Sequence, residues 1–140
     1  MVKIVPAILT NDADEFERLI RLLEPHTKRV HLDIADGVFV PNKTIKGYPE
    51  LELTSTSLKF DVHLMLEETL NEILLWDGKK IADRFIIHTE SNDVLDSIEF
   101  LKSVNKSVGL ALNPDTSASE IEPYIKMVDF VQFMTVTPGY

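Results

Sequence analysis

The chain contains no cysteine. A disulfide framework, a thiol nucleophile and a thiolate metal site are therefore excluded, and the composition suits a reducing compartment, so a cytoplasmic location is expected. Basic residues are scarce: 14 Lys and Arg against 23 Asp and Glu leave a formal charge of −9. Such a balance argues against a nucleic-acid partner, which needs a concentrated basic face. A small anionic substrate needs only a local site and stays open. No apolar run approaches the roughly 18–20 residues of a membrane span, so no membrane partner is expected. The opening Met1-Val2-Lys3-Ile4-Val5-Pro6 is too short and too quickly broken to read as a signal peptide. Linker-like and low-complexity stretches are missing as well, so residues 1–140 read as one domain.

What remains is an ordinary globular composition, 44% hydrophobic and 26% charged. Short β-branched runs alternate with helical stretches. Strands are expected over residues 4–9, 29–34, 58–65, 84–88, 107–112 and 128–136. Helices are expected over 12–23, 68–80, 92–105 and 117–125, with a weaker one near 49–53. Asn11 or Asp12 can cap the first helix, and Asp12 with Glu15 has the spacing of an acidic capping box. This alternation implies βαβ units and a parallel sheet. Either the fold is an open sheet of five or six strands, or the chain is an incomplete (β/α)₈ barrel, which needs roughly 200 residues or more.

His31, His63 and His88 fall at or near strand C-termini. By the period of two, His31, Asp33 and Ala35 share one face of their strand, and Asp61, His63 and Met65 share one face of theirs. Polar groups on a sheet face are expensive unless hydrogen-bonded or liganded. Two histidines and a carboxylate from adjacent strands suit a divalent metal, while the plainer reading makes them structural hydrogen-bonding residues. His88 reads as a satisfied rim residue, the Asp93, Asp96 and Glu99 series as a solvated helix face, and Trp76 as packing.

Five stretches then carry a resemblance: Pro6-Ala7-Ile8-Leu9-Thr10, the run from His31-Leu32-Asp33-Ile34-Ala35-Asp36-Gly37 to Pro41-Asn42, Asp61-Val62-His63-Leu64-Met65, Leu112-Asn113-Pro114, and Met134-Thr135-Val136-Thr137-Pro138-Gly139. In these the chain resembles the ribulose-phosphate 3-epimerase family over essentially its whole length. The resemblance implies an α/β fold, a partial TIM (β/α)₈ barrel of about six parallel strands with outer helices. The first and sixth strands would be open edges. It implies epimerisation at C3 of a ketose phosphate, D-ribulose 5-phosphate to D-xylulose 5-phosphate, with one divalent metal ion (zinc, iron or manganese).

Position by position, the resemblance makes His31, Asp33 and His63 metal ligands and Asp33 a catalytic proton-transfer group. It places Thr10, His63, Met65, Met134, Gly139 and Tyr140 at the substrate. Thr10 stands for a serine, Ala35 for a third pocket methionine and Thr137 for an asparagine. The family's second aspartate falls beyond Tyr140. A small-molecule sugar phosphate is the expected partner, with a homo-oligomer as a further expectation. The alternatives are a related ketose-phosphate epimerase, with Ala35 enlarging the pocket, and a catalytically silent half-barrel that binds metal or a partner chain.

Overall fold

The computed structural model describes residues 2–139. Six strands form one sheet in sequential order: β1 (Ala7–Ile8), β2 (Arg29–Ala35), β3 (Lys59–Met65), β4 (Ala82–His88), β5 (Ser107–Leu112) and β6 (Phe130–Phe133). Every pairing is parallel. The connections carry α1 (Ala13–Leu23), α2 (Tyr48–Leu53), α3 (Leu70–Leu75), α4 (Val94–Ser103) and a 3₁₀ turn at Ala118–Ile121.

The two faces of the sheet differ as the period of two demands. Val30, Leu32 and Ile34 of β2, Phe60, Val62 and Leu64 of β3, Phe85 and Ile87 of β4, and Val108, Leu110 and Leu112 of β5 are buried in the main core. Phe16 and Ile20 of α1, Ile73 of α3, and Val94, Ile98 and Leu101 of α4 join the same core, so the helices cover this face. The opposite face carries the polar set. Flat, six strands would hold β1 and β6 roughly 24 Å apart. Instead Ala7 of β1 and Phe130 and Gln132 of β6 line one cavity of about 490 Å³ together with His31, Asp61 and Arg84. The sheet therefore curls around its polar face. With β1 and β6 at its two ends, it is a partial TIM barrel.

Several boundaries differ from the sequence expectation, each for a local reason. β1 is confined to Ala7–Ile8, because Pro6 offers no N–H and the chain before it is exposed. α3 is half the expected length and gives way at Gly78, where φ is +74°. The expected 117–125 helix shrinks to Ala118–Ile121, two residues short of Pro123, which cannot sit in a helix interior. Asp12 does cap α1, its Oδ1 accepting from Glu15 N at 2.8 Å. Glu15, however, takes the Thr10 hydroxyl at 2.5 Å instead of closing a capping box. Asp93 is not on a solvated face: its carboxylate accepts from Thr69 N, Thr69 Oγ1 and Leu70 N, and so caps the start of α3 from a neighbouring segment. Leu74 and Leu95 are 46% exposed, while Trp76 packs edge-on between Tyr48 and Phe85.

Gly47 closes the long loop after β2. Its φ is +78°, and a Cβ there would stand 2.8 Å from Leu32 Cδ2 and 3.1 Å from both Ile34 Cδ1 and the Trp76 ring. Gly47→Ala therefore meets both a backbone penalty and overpacking. It is expected to lower unfolding free energy by about 1–3 kcal/mol, read as a reduced urea midpoint at unchanged m-value. A midpoint equal to that of the parent would show that this loop does not dock on Leu32 and Trp76.

Candidate metal and active site

Parallel pairing sets His31 against Asp61 and Asp33 against His63 in register. Asp33 Oδ1 consequently lies between two imidazoles, 2.7 Å from His63 Nδ1 and 3.1 Å from His31 Nε2. One donor atom from each residue lies within 4.8 Å of the others. Two imidazole nitrogens and a carboxylate oxygen are a donor set that zinc, iron and manganese accept, and the residues fit such an ion. All three side chains stand on strands, which fix them more firmly than loops would.

His63 is 1% exposed. Burial pushes its pKa down to about 4, with Asp33 opposing and His31 and His88 adding to the fall, so the ring is neutral near pH 7. Burial alone would raise the Asp33 pKa, but the bonds to His31 and His63 outweigh it and hold the carboxyl well below the usual range. A neutral imidazole beside an ionised carboxylate is the protonation state a cation site requires.

A second pair stands behind His63. His88 Nε2 is 2.9 Å from His63 Nε2, and His88 Nδ1 is 3.2 Å from Glu90 Oε2. Glu90 Oε1 in turn accepts from Asn113 N at 2.9 Å and from the Thr116 hydroxyl. Burial opposes ionisation of Glu90, yet His88, Thr116 and Asn113 together bring its pKa down to about 2. Sequence reading placed His88 correctly as a satisfied residue but did not join it to His63. The signal was His88-Thr89-Glu90 at a strand end, which puts His88 and Glu90 on one side by the period of two.

The segment after β2 folds over this face. Val40 packs with Ala35 and Met65, Phe39 adjoins them, and the Phe39 ring centroid lies 4.9 Å from that of His88. Of the residues expected at the substrate, Met65 is thus a buried wall beside the histidines. Gly139 is drawn to the same segment, its carbonyl accepting from Asn42 Nδ2 at 3.0 Å. Met134 follows β6, and its Sδ accepts from Gln132 Nε2 at 3.3 Å. Thr10 lines a small cavity with Asn11, Glu15, Asn42 and Lys43, and its hydroxyl also accepts from Asp12 N. Tyr140 lies outside the described residues.

The profile of the ribulose-phosphate 3 epimerase family matches residues 3–140. The chain belongs to the ribulose-phosphate 3-epimerase family. It is 36% identical over 143 residues to the ribulose-phosphate 3-epimerase of Bacillus subtilis, an alignment covering 100% of this chain and 65% of the relative. The enzyme of that name from Rhodobacter capsulatus is 34% identical, with 99% of this chain and 62% of the relative covered. That from Treponema pallidum is 35% identical, with 98% and 64% covered. The chain thus spans 62–65% of the length of these curated relatives. Among the described residues no helix is long and apolar enough to cross a membrane.

Acid should loosen this epimerase-family fold in two overlapping stages. His63 titrates near 4 in the fold against an ordinary 6.5, so the unfolded chain binds its proton first and stability falls as pH drops from 6.5 to 4. Glu90, at about 2 against 4.5, contributes stability that is fully present above pH 4.5 and is lost towards pH 2. Urea midpoints of metal-free protein should therefore decline continuously on acidification. A flat profile between pH 6.5 and 4 would mean that His63 is not held neutral.

Proposed function

We propose that the chain carries the metal site and the first proton-transfer group of an enzyme that epimerises C3 of D-ribulose 5-phosphate to D-xylulose 5-phosphate, a reaction of pentose phosphate metabolism. The observation that carries this reading is the convergence of His31, Asp33 and His63 at the C-terminal ends of adjacent barrel strands, where barrel enzymes place their chemistry. The names of the relatives supply the reaction.

His31, Asp33 and His63 would hold the divalent cation, which when bound supplies Lewis-acid stabilisation of charge developing on the substrate oxygens. Asp33 accepts the C3 proton, which is α to the C2 ketone, leaving an enediolate. A carboxylate held this acidic is a weak base, so the C3 proton must itself be acidified, and this favours a site in which base and cation are adjacent. Met65, walled in with Ala35 and Val40, keeps water from the reacting carbons and offers no competing proton. His63, Thr10, Met134, Gly139 and Tyr140 complete the substrate contacts of this reading. Inversion requires the proton to return from the opposite face, so a second acid belongs to the mechanism. The enzyme would work in the cytoplasm, and as a homo-oligomer, for which the exposed Leu53, Leu74 and Leu75 offer apolar surface.

Proton removal can be read without inversion. The protein with Zn²⁺ or Mn²⁺ should exchange the C3 hydrogen of ribulose 5-phosphate for deuterium in D₂O, and Asp33→Asn should slow exchange by about 10²–10⁴-fold. In parallel, His31→Ala, Asp33→Asn and His63→Ala should each weaken metal binding in a chelator competition. Equal metal binding by the parent and all three variants would overturn the site, and undiminished exchange by Asp33→Asn would overturn the role of Asp33.

A further inference from the structure

We propose that the starts of the barrel strands hold a second site, remote from the metal site, which takes the phosphate group of a small phosphorylated molecule between Lys3, Lys28 and Arg84. The inference stands apart from the metal-site reading above, because it uses none of His31, Asp33 and His63.

Arg29, Asp61 and Arg84 have the inward parity of His31, His63 and His88 but stand nearer to the strand starts. Lys3 and Lys28 precede β1 and β2. Lys3, Lys28, Arg29 and Arg84 together line a cavity of about 610 Å³, walled by Ile4 and Val5, with no carboxylate among its lining residues. This is a local reversal in a chain of 23 acidic and 14 basic residues. Through Lys3, Val5 and Arg84 the cavity continues into the one of about 490 Å³ inside the curl, where Asp61 is the one acidic lining residue. From Arg29 to Asp33 the strand rises by roughly 13 Å. A phosphate held at the strand starts is therefore out of bonding reach of the metal-site donors.

Two observations point to a ligand there. The first is Arg84. A guanidinium carries five N–H donors. Among the described residues that of Arg84 donates no hydrogen bond: Asp61 Oδ2 stands off at 3.4 Å, and the Phe130 ring, 4.6 Å away, takes only the face of the plane. Arg29 differs, with both terminal nitrogens spent on Asp61 and Asp83. Arg84 is half-buried, at 33% side-chain exposure, and donors withdrawn from water without acceptors cost free energy. Its planar fork matches the oxygens of a phosphate. The second observation is charge. Arg29 and Arg84 are balanced by Asp61 and Asp83. Lys3 and Lys28 face the cavity and form no ion pair among the described residues. The cavity thus holds two positive charges in excess. A carboxylate would offset one of them. A phosphate monoester, at about −1.5 to −2 near pH 7, offsets both. Ile4 and Val5 offer its carbon skeleton an apolar wall.

Titration of the metal-free chain with inorganic phosphate, at low ionic strength and mildly alkaline pH, tests the site by ¹H–¹⁵N correlation. The expected result is a saturable shift of the Arg84 Nε–H resonance and of the Lys3 and Lys28 amides. The urea midpoint should rise alongside, since phosphate binds the folded chain. Added sodium chloride should weaken binding by screening. Arg84→Gln should weaken it by about tenfold or more. Lys3→Gln and Lys28→Gln, at exposed positions, should each weaken it by about 2–5-fold. No saturable shift would overturn the proposal. Binding retained in full by all three variants would mean an adventitious ion only. Shifts confined to the His31, Asp33 and His63 amides would put the phosphate at the metal site and overturn the second site. Acetate bound as tightly as phosphate would refute the charge match. Should Arg84→Gln not fold, the two lysine variants still decide. A chain that binds phosphate at the strand starts but no divalent metal would overturn the metal-site reading alone.

Discussion

Asp33 Oδ1 faces two imidazole nitrogens on a sheet face that water reaches poorly, and most of the architecture serves to hold that contact. A carboxylate in such a place is expensive to desolvate and strongly favoured by neighbouring donors or a cation. Its partners cannot come from its own strand alone, since His63 lies 30 residues away. Parallel register brings them together: Asp33 aligns with His63, and the shared inward orientation does the rest. A one-residue slip of β3 against β2 would turn His63 outward among the helices and Leu64 inward.

That register is secured from the other side of the sheet. Leu32, Ile34, Val62 and Leu64 interleave with the inward polar residues and are 0–3% exposed beneath the helices. Their burial fixes which face each intervening residue presents. The polar site is therefore a consequence of apolar packing, and its precision is inherited from strands locked on their opposite face. The segment after β2 adds the remaining wall, and Gly47 lets it return against Leu32 and Trp76 before α2 begins.

Much of this was legible in the sequence because the period of two is strict. In His31-Leu32-Asp33-Ile34 the alternation alone separates the metal-competent face from the core face, and the structure keeps that division residue for residue. The element order and the parallel sheet followed from the alternation of strands and helices. Helix lengths did not, because α3 depends on a cap from Asp93, which is remote in sequence, and on a left-handed Gly78 that ends the turn. The bonds of the Thr10 hydroxyl to Glu15 and from Asp12 N were not legible either, because they are decided by where α1 starts. The link between His63 and His88 was hidden for another reason. In register His63 pairs with Ile86, so the two rings meet diagonally, through side-chain reach that no linear pattern encodes.

The inward face carries two polar groups, and their charge balance differs. Towards the strand starts, Asp61 lies between Arg29 and Arg84, and Arg29 also holds Asp83: two carboxylates against two guanidiniums. That group is neutral as it stands, and Arg84 is further occupied over the Phe130 ring at 4.6 Å. Towards the strand ends, the ion-pair partners found for Asp33 and Glu90 are histidines, with His63 held neutral by burial. The same sheet thus satisfies one pair of acids with its own arginines and leaves the other pair facing imidazoles. A fold able to compensate Asp61 so fully has the means to compensate Asp33. That it surrounds Asp33 with imidazole nitrogens instead, one of them on a ring that burial keeps neutral, is the arrangement expected where the missing positive charge arrives with a ligand.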